Sequence, residues 1–303
     1  MNAISPRRQY RTVWISDVHL GTRGCQAELL LDFLSHIEAQ TLYLVGDIVD
    51  GWRLRRSWYW PPSHDRAVRE ILGWAARGRR VVFVPGNHDE FLRPFHGRYF
   101  HGIQVLDADV HQTADGRRLL VLHGDQFDGV VRCHRWLALL GDHAYGGALA
   151  LNRWFNALRR RLGFPYWSLS AFLKLRVKEA VQVIARFETA VAGAARQAGV
   201  DGVVCGHIHH AEMRMMDGVL YCNDGDWVES CTALVEHLDG RLEILDWPRL
   251  RPQRAAATTA PRGRSLPQAA VLAGFGISLE EPECAFSSSP MPGFLRSMAS
   301  SER

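Results

Sequence analysis

Polar side chains that can bind metal ions or move protons follow five short apolar runs of the sequence. Each run predicts a buried strand, and ligands of open α/β sheets bind beyond the carboxyl ends of the strands. We therefore expect the five polar blocks to meet in one place. The blocks are Asp17-Val18-His19, Gly46-Asp47, Gly86-Asn87-His88-Asp89, His123-Gly124-Asp125 and Gly206-His207-Ile208-His209.

The donors in these blocks are carboxylate or amide oxygens and imidazole nitrogens, without a thiolate. Such a set suits Mn, Fe or Zn in a catalytic site better than a structural zinc. Seven ligands are too many for one ion and enough for two, and a shared Asp47 would bridge ions about 3.5–4 Å apart. That arrangement favours an in-line phosphoryl displacement. The seven comprise three carboxylate or amide groups and four imidazoles from the five blocks.

Each block taken alone also has an ordinary structural explanation. An aspartate after a strand is often the N-cap of the next helix, and two histidines at a strand end can be surface residues. Five blocks at five strand ends are much harder to explain in that way. Together they indicate a metal-dependent enzyme.

The elements that must position these residues alternate between strands and helices. This alternation predicts a sheet covered by helices. Late in the chain, three strand-like segments and an Asp239-Gly240 turn predict an antiparallel or mixed edge. The predicted strands are 12–15, 42–45, 81–84, 119–122, 203–205, 219–222, 232–238 and 242–247, and the predicted helices are 25–38, 64–77 and 180–198.

The net charge of +4 is an average over segments of different sign. Residues 131–180 hold nine basic and two acidic residues, and residues 249–303 hold seven and four, whereas the rest of the chain nets −6. The first segment, rich in arginine and aromatic residues, predicts a helical, basic lid insert within a domain of residues 1–248. The second, rich in Pro, Ala, Ser and Arg, predicts a disordered tail.

Composition excludes several classes of protein. With 47% hydrophobic residues the chain is not intrinsically disordered, and no apolar run approaches the 18 or so residues that span a bilayer. The N-terminus lacks the apolar segment of a secretory signal, so a cytoplasmic location is expected. The six cysteines show no paired metal spacing and are expected to be reduced thiols.

The five blocks, in this order and with Asp50 three residues after Asp47, resemble those of the calcineurin-like metallophosphoesterase superfamily. The resemblance covers roughly residues 11–248. It implies an α/β fold with a four-layer α/β/β/α sandwich and a dinuclear metal centre. It further implies that His88 is a catalytic residue acting at the phosphate oxygen or leaving group. By position, one ion would be held by Asp17, His19, Asp47 and His209, and the other by Asp47, Asn87, His123 and His207.

Within that superfamily, the segments 16–21, 86–92 and 123–128 resemble the UDP-2,3-diacylglucosamine hydrolases of lipid A biosynthesis. The best-characterised branch of those enzymes carries Arg at the position of His88, so this chain resembles a sister branch. The resemblance implies hydrolysis of the substrate pyrophosphate to UMP and 2,3-diacylglucosamine 1-phosphate by a hydroxide that two metal ions activate. Manganese is the expected metal, with Fe or Zn as alternatives.

A lipid-linked nucleotide substrate agrees with the composition of the insert. Basic residues suit its phosphates and aromatic residues suit its acyl chains, although such residues also commonly pack an insert onto its domain. A peripheral location at the anionic inner face of the cell membrane is expected. The predicted substrate-binding residues are Asp125, Trp167, Ser170, Lys174 and Lys178.

Two other functions stay open from the sequence. One is a phosphoesterase acting on another phosphodiester, nucleotide or phosphomonoester. The other is a binding module of the same fold that has lost its metals, which the complete ligand set disfavours. The segment 52–60 mixes arginine with aromatic residues, as proteins that bind single-stranded nucleic acid do. The net charge of −6 on the chain outside the insert and the tail disfavours nucleic acid, so we expect this segment to contact the substrate or the lid instead. No obligatory protein partner is evident.

Overall fold

The structure is a computed structural model that describes residues 7–128 and 169–251, with side chains described from residue 181 in the second range. Of these, 7–128 and 186–251 belong to one compact unit and 169–185 to another. The strands are β1 (Arg8–Ile15), β2 (Ile37–Val45), β3 (Arg80–Val84), β4 (Tyr99–Phe100), β5 (Ile103–Val105), β6 (Asp109–Gln112), β7 (Arg118–Val121), β8 (Gly202–Cys205), β9 (Glu212–Met216), β10 (Val219–Asn223), β11 (Thr232–Glu236) and β12 (Leu242–Asp246).

The helices are short except for one that connects the insert region to β8. Two further segments form 3-10 turns: Glu90–Phe95 directly follows the third site block, and Asp125–Phe127 begins at the last residue of the fourth. The α-helices are α1 (Ala27–His36), α2 (Gly51–Arg56), α3 (Pro62–Ala76), α4 (Leu169–Gln197) and α5 (Trp247–Leu250).

The strands form two sheets of mixed direction. The first has seven strands in the order β12-β11-β1-β2-β3-β5-β4, in which β1, β2 and β3 are parallel neighbours. The second has five strands in the order β6-β7-β8-β10-β9, in which β7, β8 and β10 are parallel neighbours. The predicted late strands therefore separate: β11 and β12 pair antiparallel at the edge of the first sheet, whereas β10 joins the second.

Alternating side chains of the central strands fill two different cores. On β1, Val13 and Ile15 pack with residues of α1 and α3, whereas Trp14 points into a core shared with the second sheet. Tyr43 of β2 stacks on Trp14 at 5.8 Å in that inner core. Because both faces of β1 and β2 are buried, their sequences read as continuous apolar runs.

The layers follow from these cores. The helices α1 and α3 cover the outer face of the first sheet, and the two sheets pack against each other. On the second sheet, Glu188 of α4 forms an ion pair with Arg214 of β9, and Phe187 is fully buried beside His207. The predicted α/β fold with two sheets and covering helices is confirmed.

Several expectations fall beyond what the structure describes. The lid insert expected at 131–180 is described only as the backbone of 169–180 within α4, and the tail expected at 249–303 only as residues 249–251. Among the described residues, no helix has the length and hydropathy needed to cross a bilayer.

Candidate active site

Two buried aspartates, Asp17 and Asp47, lie at the centre of a polar cluster beyond the ends of β1 and β2. One oxygen of each carboxylate accepts a backbone N–H: Asp17 Oδ2 from His207 at 2.7 Å, and Asp47 Oδ1 from His88 at 2.8 Å. The other oxygen faces imidazoles, since Asp17 Oδ1 is 3.0 Å from His209 Nε2 and Asp47 Oδ2 is 3.9 Å from His88 Nε2. The backbone of one block thus orients the carboxylate of another.

Three groups of side chains bring possible ligand atoms within 4.8 Å of one another. Two of them resemble the two ligand sets expected from the sequence, and a third shares members with the first two. Asp47 belongs to two of the groups, which link it to His19 on one side and to His123 and His207 on the other. The groups are Asp17, His19 and His209; Asp47, His123 and His207; and His19, Asp47 and His88.

The inward-facing atoms of this cluster show what it can bind. Buried atoms without a hydrogen-bond partner among the described residues include His19 Nε2, Asn87 Oδ1, His123 Nε2 and His207 Nδ1. Leaving one such atom unsatisfied costs roughly 1–3 kcal/mol, so four in one place would be unfavourable unless they serve a ligand. Converging imidazole and amide lone pairs beside carboxylates fit divalent cations such as Mn, Fe or Zn.

The ring nitrogens that face away from the cluster approach oxygen acceptors. Such partners fix the tautomer and the orientation of a metal-ligating histidine. Two of these contacts are short, with 2.6 Å between His207 Nε2 and Asp128 Oδ1 and 2.8 Å between His123 Nδ1 and the carbonyl oxygen of Val45. The other two are longer, with 3.4 Å between His19 Nδ1 and Asp50 Oδ2 and 3.7 Å between His209 Nδ1 and Asp226 Oδ2.

Glycines before the ligands leave room for them. A Cβ atom on Gly86 would lie 2.4 Å from Asp47 Oδ1 and 2.7 Å from His123 Nε2. A Cβ atom on Gly206 would lie 2.6 Å from Asp17 Oδ2. All three distances are too short for a Cβ atom, so a side chain at Gly86 or Gly206 would force the ligands apart.

The backbone at the site is unusual for residues with side chains. Eight non-glycine residues in the described ranges have a positive φ, and five of them are predicted metal ligands. The left-handed region is disfavoured for L-residues and is often found at functional sites. These five are Asp17 (49°), His19 (54°), Asp47 (53°), His207 (73°) and His209 (55°).

His88 lies between the indole of Trp52 and the imidazole of His19, with ring centroids 4.3 and 4.7 Å away. Its Nδ1 is 3.0 Å from Asp50 Oδ1, and its Nε2 points toward Asp47. Asp50 also approaches His19, so one carboxylate serves both imidazoles. With one nitrogen on a buried carboxylate and the other toward the cluster, His88 has the geometry of a proton donor.

Burial and neighbouring charges give the carboxylates of the site different pKa values. Burial raises the pKa of Asp17 and of Asp47, but the surrounding imidazoles outweigh it and hold both below the usual range. Asp89 differs, because burial and then the charge of Asp47 raise its pKa to about 6. Its oxygens accept backbone N–H groups from Gly86 at 2.6 Å and Ile48 at 2.7 Å. Asp89 therefore ties two site loops together.

The predicted substrate-binding residues are only partly described. Asp125 forms a 2.6 Å ion pair with Arg93, which joins the two 3-10 turns, and its contact with substrate stays a prediction. Trp167 lies outside the described residues, and the side chains of Ser170, Lys174 and Lys178 do as well.

Sequence reasoning missed the carboxylates that orient the histidines. Asp50 is part of the motif that carries the resemblance but has no role assigned from the sequence, and Asp128 is the last residue of the segment 123–128. No sequence pattern indicates a role for Asp226, because it lies in a loop after β10 that contains no recognisable motif. Its approach to His209 depends on the pairing of β10 with β8.

Comparison with known proteins places this geometry in a family. Residues 10–211 match the family described as Calcineurin-like phosphoesterase. A UDP-2,3-diacylglucosamine hydrolase of Bordetella pertussis is 27% identical over 215 residues, which are 65% of this chain and 76% of that protein. One of Blochmanniella pennsylvanica is 30% identical over 117 residues, 37% of this chain and 46% of that protein. The chain thus spans about half the length of several such relatives.

Among solved structures, the phosphoesterase Yfce of E. coli is 15% identical with a TM-score of 0.38, covering 78% of this chain and 98% of that one. The family match extends over two thirds of the sequence and includes all five site blocks. The chain therefore belongs to the calcineurin-like phosphoesterase family.

Proposed function

We propose that this enzyme hydrolyses the pyrophosphate of UDP-2,3-diacylglucosamine to UMP and 2,3-diacylglucosamine 1-phosphate, a step of lipid A biosynthesis. The observation that carries the phosphoester chemistry is the convergence of three donor groups, in which Asp17, His19 and His209 form one group and Asp47, His123 and His207 another, while His19 and Asp47 also meet in the third. The substrate is supported by relatives whose names specify it, at about 30% identity.

The ligands of the two cations are proposed from the same cluster. Bound divalent cations supply neutralisation of the phosphoryl oxygens and acidification of an attacking water. Manganese is the proposed metal, with Fe or Zn as alternatives that the same donors accept. One cation would be held by Asp17, His19, Asp47 and His209, and the other by Asp47, Asn87, His123 and His207.

His88 is the proposed catalytic residue. Its Nε2 faces the cluster, where it would donate a hydrogen bond or proton as charge develops on the leaving oxygen. Asp50, 3.0 Å from Nδ1, would stabilise the protonated imidazole and hold its ring in place. The indole of Trp52 on the ring face limits the rotation of His88 and shields it from water.

Substrate recognition is proposed to fall to the insert. Its charge of +7 complements the pyrophosphate, and its aromatic residues suit acyl chains. The same charge would hold the enzyme at the anionic inner face of the cell membrane. The proposed substrate contacts are Asp125, Trp167, Ser170, Lys174 and Lys178.

A second candidate is hydrolysis of another phosphodiester, nucleotide or phosphomonoester by the same centre. It is favoured by His88, which stands where the best-characterised hydrolases have Arg. An imidazole can donate a proton to a leaving group, whereas a guanidinium remains protonated and acts only by charge and hydrogen bonding.

Release of UMP from UDP-2,3-diacylglucosamine tests the proposal. We expect release by the enzyme, loss on chelation, recovery with added Mn, and loss in Asn87→Ala but not in the surface control Asp217→Asn. Hydrolysis of bis(p-nitrophenyl) phosphate without UMP release would refute the substrate and leave the phosphoesterase. Unchanged activity in Asn87→Ala would refute the ligand assignment.

A further inference from the structure

An exposed face of arginine and tryptophan lies beside the site, on α2 and the two residues after it. Trp58 is 74% exposed and Trp52 is 43% exposed, and the arginines between them are exposed as well. We call this surface the α2 face; it consists of Trp52, Arg53, Arg55, Arg56 and Trp58.

The three arginine side chains of the α2 face have no ion pair or hydrogen bond with other described residues. Most arginines in the described part of the chain do have such a partner, and neighbouring α3 shows the contrast clearly. Three like charges within four residues repel one another, so their clustering contributes nothing favourable to folding. On α3, Arg66 pairs with Glu28, Arg69 with Asp65 and Arg77 with Glu70.

Each of the two tryptophans contacts another aromatic ring. Trp52 lies on the ring of His88 and its Nε1 donates to Glu90 at 3.3 Å. Trp58 lies 6.1 Å from Trp60, which meets the buried His64 edge to face. Trp52 thus keeps part of its ring exposed and Trp58 most of its ring, although exposing large aromatic rings to water is unfavourable.

We propose that the α2 face binds the surface of an anionic lipid bilayer. Clustered arginines are attracted to anionic headgroups, and indoles favour the boundary between headgroups and hydrocarbon. Since Trp52 contacts His88, a bilayer bound here would bring its headgroups to the edge of the polar cluster that contains the proposed metal ligands. The inference deepens the proposed function, on which its biological meaning rests, and assigns membrane contact to the catalytic body in addition to the insert.

Single-stranded nucleic acid is the less suitable partner for this surface. The six residues of α2 form a helix only about 9 Å long, which can contact one or two backbone phosphates but cannot follow a longer nucleic-acid strand. Glu90 borders the face, and the body outside insert and tail nets −6. A bilayer needs only a local contact, because its charge lies in a plane.

Flotation with vesicles tests the inference on the full chain. Vesicles of phosphatidylcholine are compared with vesicles that also contain phosphatidylglycerol. Each arginine near an anionic surface contributes about fivefold to binding, so Arg53→Gln, Arg55→Gln and Arg56→Gln combined should weaken binding to the anionic vesicles about 100-fold. Trp58→Ala should weaken it further. The matched control combines Arg66→Gln, Arg69→Gln and Arg77→Gln, which removes the same charge from α3.

We expect the control to bind anionic vesicles within a few-fold of the unmodified chain. A cooperative urea unfolding transition verifies that the α2 variant folds. Equal binding by the α2 variant and the unmodified chain would overturn the inference, and so would an equal loss in the control. Loss of oligonucleotide binding with unchanged vesicle binding would also overturn it. Binding that depends on the α2 face, with no UMP release, would support this inference and refute only the proposed substrate.

Discussion

Asp128 provides a direct test of whether His207 is a metal ligand. Its Oδ1 is 2.6 Å from Nε2 of His207, and its side chain is 48% exposed. This contact places a proton on Nε2 and leaves the lone pair of Nδ1, a buried atom without a hydrogen bond among the described residues, facing the cluster. Removal of Asp128 would let the ring exchange tautomers or turn.

The expected size of the effect follows from this geometry. Loss of a carboxylate that orients a ligand histidine lowers metal affinity about 10–100-fold, or about 1.4–2.7 kcal/mol. Asp128→Asn keeps an oxygen acceptor on a half-exposed side chain, so we expect about 10-fold. Asp128→Ala removes the acceptor, and we expect a loss closer to 100-fold.

Competition between the protein and a chelator measures the Mn affinity, and elemental analysis measures the number of bound ions. Asp217→Asn, an exposed aspartate paired with Arg196, is the matched control and should bind Mn as the unmodified protein does. Unfolding by urea in chelator shows whether the variants fold. A folded Asp128→Ala protein with Mn affinity within twofold of the control would refute the orientation of His207 by Asp128.

Four further outcomes are expected. His88→Gln should lower kcat by about 10²–10⁴-fold in a steady-state assay while two ions stay bound; loss of an ion would instead make His88 a ligand. Gly86→Ala should abolish tight Mn binding, because its Cβ would lie 2.4 Å from Asp47 Oδ1; normal Mn titration would contradict this. Burial raises the pKa of Glu236, but hydrogen bonds from His111 and Arg11 outweigh it and lower the pKa to about 2 from 4.5. Its contribution of about 3 kcal/mol is then complete above pH 4.5 and is lost as the pH falls toward 2, so urea unfolding of Glu236→Gln should show a weaker acid dependence. Mn at 100 times its Kd should raise the free energy of unfolding by about 2.7 kcal/mol per site, and an unchanged urea midpoint would argue against binding to the folded state.

The strands that carry the site were predictable because both of their faces are buried. Val13, Trp14 and Ile15 are all apolar although they point into two different cores, and such runs are typical of covered sheets. The ligand blocks were predictable for a related reason: each follows such a run directly. Resemblance to a family supplied the two-sheet arrangement, which the apolar runs alone do not encode.

Contacts that depend on packing between distant segments were not predictable from the pattern. The division of the site between β1, β2 and β3 of one sheet and β7 and β8 of the other follows from long-range pairing. Asp226 illustrates the difficulty, since its neighbours in sequence say nothing about His209. Helix α2 was also not predicted: its six residues are too few for a periodic signal, and Asp50 caps it by accepting the N–H of Arg53.

The backbone strain at the ligands has its own structural support. Each left-handed ligand residue costs on the order of 1–3 kcal/mol, so neighbouring groups must stabilise the loops that carry them. Asp89 accepts N–H groups from Gly86 of the third block and from Ile48, directly after the second block, and the hydroxyl of Ser16 lies 2.7 Å from Asp17 Oδ2 and 2.6 Å from Asp224 Oδ1. These buried hydrogen bonds hold Asp47 and Asp17 in left-handed backbone conformations that an unrestrained loop would not keep. The polar network around the ligands is thus required to keep the donor atoms converged, and a cation would add to a geometry that the chain already maintains.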